Sequence, residues 1–248
     1  MNKAEFSDIR ACVFDAYGTL LDFNTAANAA TGDIGDRKDA LLDIWRQKQL
    51  QYTWLRSLMR AHVPFWQVTG EALDYAMAVV GIADDGLRER LMQGYLTLDA
   101  FPEVPETLRA IRNAGLGTAI LTNGSPEMIE AGVRYAGIDD LIDAILSVEE
   151  VGIYKPDPQV YQLAVDRLGV PRDRIMFLSS NAWDAAGAAQ FGFRVVWCNR
   201  YRQPPEQLPA VPDAEVRSLE EILTMIPSAL GSPPRPLRLA RSGSDHAG

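Results

Sequence analysis

The stretch "VFDAYGTLLD", Val13 to Asp22, sets the fold. A short apolar run ends in Asp15, and Gly18 and Thr19 then turn the chain. An acid at the end of an apolar run is the pattern of a buried strand that delivers a polar group to one edge of a sheet. Further apolar runs repeat the pattern: "ACVFD" (11–15), "GTAILTN" (117–123), "AILSV" (144–148), "IMFLSSN" (175–181) and "RVVWC" (194–198). Between them lie the helical patterns "VPETLRAIRNAG", "SPEMIEAGVRYAG", "DPQVYQLAVDRLG" and "AWDAAGAAQFG". Several open with Pro and all close with Gly, the usual start and stop signals. Strands alternating with helices predict an α/β fold: a Rossmann-like parallel sheet with helices on both faces.

Residues 24–99 interrupt this alternation with helical patterns and no convincing strand. In "DRKDALLDIWRQKQLQYTWLRSLMRAH", Leu41, Trp45, Tyr52, Leu55 and Met59 fall on one stripe at helical spacing. The expected organisation is an α/β core over 1–23 and 100–228, an all-helical cap over 24–99, and a disordered tail over 229–248. The tail, rich in Pro, Ser, Gly and Arg, has little periodic apolar content.

The chain has 248 residues, of which 47% are hydrophobic, enough for a substantial core. A formal charge of -9 leaves no basic footprint for nucleic acid, and no Lys/Arg run marks a membrane surface. Cys12 and Cys198 sit in apolar runs without metal-ligand spacing and read as buried thiols in a reducing compartment. No signal-peptide pattern or membrane-length apolar segment is present, so a cytoplasmic location is expected.

In an open parallel sheet, ligands bind beyond the carboxyl ends of the strands. The polar residues at those ends are Asp15 and Thr19; Thr122 and Asn123; and Ser179, Ser180, Asn181 and Asp184, with Lys155 in "GIYKPD". Taken singly, each candidate has an ordinary structural reading. Asp15 suits a turn, Lys155 before Pro156 a surface bend, and Asp184 a helix cap. Arg46 suits a solvated pair with Asp43, and Phe65 and Trp183 suit the core.

Together, "DAYGT", "LTNG", "YKPDP" and "SSNAWD" match in order the four motifs of the haloacid dehalogenase superfamily. With "WRQKQLQYTWLR", the chain most closely resembles the (S)-2-haloacid dehalogenases. In superfamily phosphatases an acid two residues past the nucleophile protonates the leaving oxygen, and further acids help to hold Mg²⁺. Here those positions are Tyr17 and Asn181. A halide leaves without a proton or a metal, so the missing acids favour dehalogenation, with no cofactor and no metal.

The resemblance implies that Asp15 attacks C2 of a small 2-haloacid anion and that water hydrolyses the resulting ester. It implies halide stabilisation by Arg46 and Asn123, and a carboxylate seat at Thr122, where the family often has Ser. Lys155 would offset Asp15 and Asp184, while Asp184, Asn181 and Ser179 would handle the water. Thr19 and Tyr161 would support this network. Ala16, Gln47 and Leu50 would touch substrate, and Tyr17, Phe65 and Trp183 would form apolar walls. Arg46, Gln47 and Leu50 are expected on one helix face. The resemblance also implies a homodimer. A Mg²⁺-dependent phosphatase and a non-catalytic binding protein on the same scaffold are the competing readings.

Overall fold

The computed structural model of the chain describes residues 6–30 and 34–226, without the side chains of 27–30. The expected tail, 229–248, lies outside the described residues. Six parallel strands form one sheet: β1 (Ala11–Phe14), β2 (Gly117–Thr122), β3 (Ala144–Ser147), β4 (Ile175–Ser179), β5 (Arg194–Cys198) and β6 (Ala214–Val216), in the order β3-β2-β1-β4-β5-β6. The first five lie within the apolar runs. β6 was not anticipated, because "AEV" is three residues long and its Glu215 is exposed.

β1, β2 and β4 carry no exposed residue, which is why their sequences are continuously apolar rather than alternating. Each large aliphatic or aromatic side chain so buried contributes about 1.5–3 kcal/mol. Phe14 pairs with Ile120 on one side and Leu178 on the other, so β1 ends between its neighbours one or two residues before they do. Chain order reverses between β1 and β4, and that switch point opens the crevice where Asp15 emerges.

Four helices connect the sheet: α4 (Val104–Asn113), α5 (Pro126–Tyr135), α6 (Pro158–Leu168) and α7 (Ala182–Phe191). α4, α5 and α6 each carry Pro in the first turn, where its missing N–H costs no hydrogen bond. Asp157 caps α6 by accepting the Gln159 N–H at 2.9 Å, and Gly169 closes it at φ 62°.

Between β1 and β2 lie α1 (Lys38–Met59), α2 (Phe65–Val79) and α3 (Asp85–Gly94), with no strand among the described residues. α1 and α2 form a hairpin tied by Trp45 Nε1 donating to the Thr69 carbonyl at 2.9 Å and by an Arg56–Glu71 ion pair at 2.7 Å. The end of the hairpin nearest its loop docks on the sheet's loops, through Phe65 N–H to Glu149 at 3.2 Å and Tyr154 N–H to Ser57 Oγ at 3.1 Å.

The apolar stripe on α1 departs from expectation. Leu41 and Trp45 are buried, but Leu55 and Met59 are 50% and 66% exposed. The buried face instead continues through Gln49 and Thr53. Steps of four residues wind this contact around the helix, away from the expected stripe. Cys12 and Cys198 are both buried and free.

Candidate active site

After β1, the Ala16 carbonyl accepts the N–H groups of Thr19, Leu20 and Leu21 at 3.2, 2.9 and 3.0 Å. This tight turn needs Gly18 at φ 84°, a conformation that L side chains rarely adopt. It folds Thr19 back so that its hydroxyl donates to Asp15 Oδ2 at 3.1 Å. Asp15 is anchored in turn by its own N–H, which donates to the Leu178 carbonyl at 2.9 Å.

The two oxygens of Asp15 differ. Oδ2 accepts from Asn181 Nδ2 at 2.7 Å, Thr19 at 3.1 Å and Ser179 Oγ at 3.4 Å. Oδ1 accepts from Lys155 Nζ at 3.1 Å. The same ammonium donates to Asp184 Oδ2 at 2.8 Å, and the Tyr161 hydroxyl donates to Asp184 Oδ1 at 2.8 Å. Lys155 is 1% exposed, so the surface-bend reading of this residue is excluded. Its N–H donates to Asn123 Oδ1 at 3.1 Å, fixing that amide's orientation.

Burial pushes the Asp184 carboxyl up to about 6, with Asp15 adding to the rise and Lys155 opposing it. Burial works against the Lys155 charge, but Asp15 and Asp184 outweigh it and hold the ammonium above its usual range. Burial also raises the Tyr17 and Tyr161 phenols well above the ordinary tyrosine value. Both stay protonated through the neutral range.

From α1, Arg46 reaches across to Asn181, donating to Oδ1 at 3.3 Å. Its partners are Asn181 and Gln49, not Asp43. Arg46, Leu50, Asn181 and Trp183 line a cavity of about 410 Å³. Gln47 does not join them: it is exposed, turned away from Arg46 because one residue's step rotates the helix by roughly 100°. Tyr17 and Phe65 stack at 6.1 Å between ring centres, and Tyr95 packs on Tyr17 at 5.1 Å. The Tyr17 hydroxyl is buried without a hydrogen-bond partner, so this wall carries a polar atom. Trp183 packs edge-on against Trp54 at 5.4 Å. Thr122 is fully buried and accepts the Gly124 N–H at 3.0 Å.

Sequence reading missed two residues, Gln49 and Tyr95, which bond to each other behind Arg46. Gln49 lies three positions after Arg46, a helical-neighbour spacing that could have drawn notice.

The donor set does not fit a divalent cation of the phosphatase kind. Lys155 already bonds both carboxylates, and Asn181 turns a donor toward Asp15 where an acid would be needed. No three His, Cys, Asp or Glu side chains converge among the described residues.

Residues 9–192 match the family model of haloacid dehalogenase-like hydrolases. The chain is 45% identical over 219 residues to (S)-2-haloacid dehalogenase 4A of Burkholderia cepacia, covering 88% of this chain and 95% of that one. It is 47% identical over 215 residues to (S)-2-haloacid dehalogenase 1 of Pseudomonas sp. strain CBS-3, covering 86% and 95%. Among solved structures, L-2-haloacid dehalogenase from Xanthobacter autotrophicus with chloropropionic acid covalently bound is 35% identical, with a TM-score of 0.82 over 88% of this chain and 98% of that one. By sequence, fold and the order of its loops, the chain belongs to the haloacid dehalogenase-like hydrolases, in the branch of the (S)-2-haloacid dehalogenases.

Proposed function

We propose that the protein hydrolyses small (S)-2-haloacids to (R)-2-hydroxyacids and halide without a metal. The observation that carries this reading is the surroundings of Asp15. It is held by Lys155, Thr19, Ser179 and Asn181, while the phenol at position 17 is kept far from ionisation. Such a carboxylate can attack, but the residue where a phosphatase carries its acid cannot protonate an oxygen leaving group. A halide departs as the anion and needs no such donor.

In the first step Asp15 Oδ1 attacks C2 in line, the carbon–halogen bond breaks with its electron pair going to the halide, and C2 inverts. Arg46 and the side-chain amide of Asn123 stabilise the developing halide charge. Thr122 and nearby N–H groups hold the substrate carboxylate, and Ala16 and Leu50 border it. Gln47, exposed on α1, has no part in this proposal. In the second step Asp184, ionised above about 6, takes a proton from water, whose oxygen attacks Cγ of the Asp15 ester. Thr19, Ser179 and Asn181 surround Oδ2, where charge collects in that step. Collapse of that adduct breaks the Cγ–Oδ1 bond, Asp184 returns its proton to the departing alkoxide, the former Oδ1 leaves as the product hydroxyl, and the water oxygen stays on Asp15. The covalently bound chloropropionic acid in the Xanthobacter autotrophicus protein supports a covalent route.

The helical segment 24–99 serves as a cap that supplies Arg46 to a core formed by 1–23 and 100–228. Leu55, Leu58 and Met59 on α1, with Tyr75 and Val79 on α2, leave exposed apolar surface that suits a homodimer contact. No helix among the described residues is long and apolar enough to cross a membrane.

The test is release of chloride from (S)-2-chloropropionate in EDTA, followed by one turnover in ¹⁸O-water. The label should enter Asp15 and not the first product molecule. Turnover of a small phosphate ester that requires Mg²⁺, with no halide release, would establish the phosphatase reading instead.

A further inference from the structure

Gln49 is fully buried, on the face of α1 that packs against α2 and against Tyr95, the residue that follows α3. Burying a primary amide is costly unless its groups are bonded, and here they are. Nε2 donates to Thr69 Oγ1 at 2.8 Å, and Oε1 accepts from Arg46 Nη1 and from the Tyr95 hydroxyl, each at 3.1 Å. Thr69 spends its own proton on the Phe65 carbonyl at 2.8 Å, so toward Gln49 it can only accept. The amide therefore has one workable orientation. Flipped, it would turn its NH₂ toward the Arg46 and Tyr95 donors and its oxygen toward an oxygen with no proton left to give. Its partners are themselves fixed: Thr69 is fully buried on α2, and Tyr95 packs against Trp45 at 5.5 Å.

Arg46 thus has one guanidinium nitrogen tied to a rigid amide, while the other reaches Asn181 in the site. Asn181 needs none of this, since its Nδ2 is held by Asp15 and by the Tyr17 carbonyl at 3.2 Å. We infer that Gln49 is the positioning residue for Arg46, holding the guanidinium at the angle from which it meets the departing halide. The inference rests on the proposed dehalogenase activity. It predicts a leaving-group signature, because a fixed donor matters most where the charge is concentrated on a small ion, chloride more than bromide. A residue that only packs the cap would slow both substrates alike.

The experiment compares halide release from (S)-2-chloropropionate and (S)-2-bromopropionate in wild type, Gln49→Met, Arg46→Ala and the double variant. Gln49→Met keeps the chain length but offers Arg46 no comparable acceptor. We expect kcat to fall about tenfold with the chloride and clearly less with the bromide, with KM within about twofold, and the double variant to match Arg46→Ala alone. Equal losses for both halides, or a double variant well below Arg46→Ala, would overturn the inference. If Gln49→Met does not fold, as read by circular dichroism, Thr69→Val removes the Nε2 partner instead. It should show the same chloride bias in smaller measure, and an unchanged chloride-to-bromide ratio would overturn the inference equally. A wild type that releases neither halide overturns the dehalogenase reading and this inference with it, whereas an active wild type with unbiased variants overturns this inference alone.

Discussion

Gly187 lets α7 pass so close to Tyr161 that a β-carbon there would lie 2.6 Å from the phenol oxygen and 2.7 Å from Pro156 Cβ. The missing side chain is what allows Tyr161 to sit under α7 and reach Asp184. Gly187→Ala should displace Tyr161 and strain the Lys155–Pro156 turn. Overpacking of this kind costs about 1–3 kcal/mol, and the lost hydrogen bond to a charged group should lower kcat about tenfold. Urea unfolding and halide-release rates measure the two effects separately.

The acid limb of the pH–rate profile should report Asp184. The carboxylate acts as base only when ionised, and its ionised fraction falls as pH drops through about 6. The rate of hydrolysis should therefore decline about tenfold per pH unit below that point. Tyr161→Phe removes a hydrogen bond that favours the ionised form, so the limb should move to higher pH. An acid limb unmoved by that substitution would detach Tyr161 from Asp184.

Lys155→Met should be severely damaging to stability as well as rate. It would leave two carboxylates, one of them fully buried, facing each other without a counter-charge. Breaking a buried pair in this way costs about 3–5 kcal/mol. Chemical denaturation of the variant should show that loss, and its folded fraction should recover as pH is lowered and Asp184 protonates.

Leu58→Glu tests the proposed dimer. Leu58 is 81% exposed, so in an isolated chain the change should shift stability by no more than about 0.5 kcal/mol. In a dimer joined through this face it would bury a charge, and sedimentation should then show monomers. A species of unchanged mass would place the contact elsewhere.

The sheet was legible because its central strands are buried on both faces, which forces continuous apolar runs such as "GTAILTN". Asp15 and Thr19 meet Lys155, Tyr161, Ser179, Asn181 and Asp184, which lie more than a hundred residues further along the chain on strand ends, loops and first helical turns, as ordered motifs on strand ends suggest. β6 escaped notice because three residues with one exposed acid carry no periodic signal. On α1, spacing alone could not separate apolar residues that face the interior from those that face solvent. Leu41 and Leu58 are equally apolar, and only the winding of the contact tells them apart. Gln49 was passed over because a glutamine inside a polar run looks solvated until Thr69 and Tyr95, twenty or more residues away, are in place.

The packing of Tyr17 also bears on how this branch could evolve. Tyrosine and aspartate codons differ by one base, so a carboxylate at this position is a short mutational step away. Yet the Tyr17 ring is wedged between Phe65 and Tyr95, and a Cβ on Gly124 would touch it at 2.9 Å. Exchanging it for aspartate would empty a ring-sized space, at a cost of about 3–5 kcal/mol as for other buried aromatics, and add a third acid beside Asp15 and Asp184. Drift toward phosphoryl chemistry is thus opposed by folding stability before selection on the reaction begins.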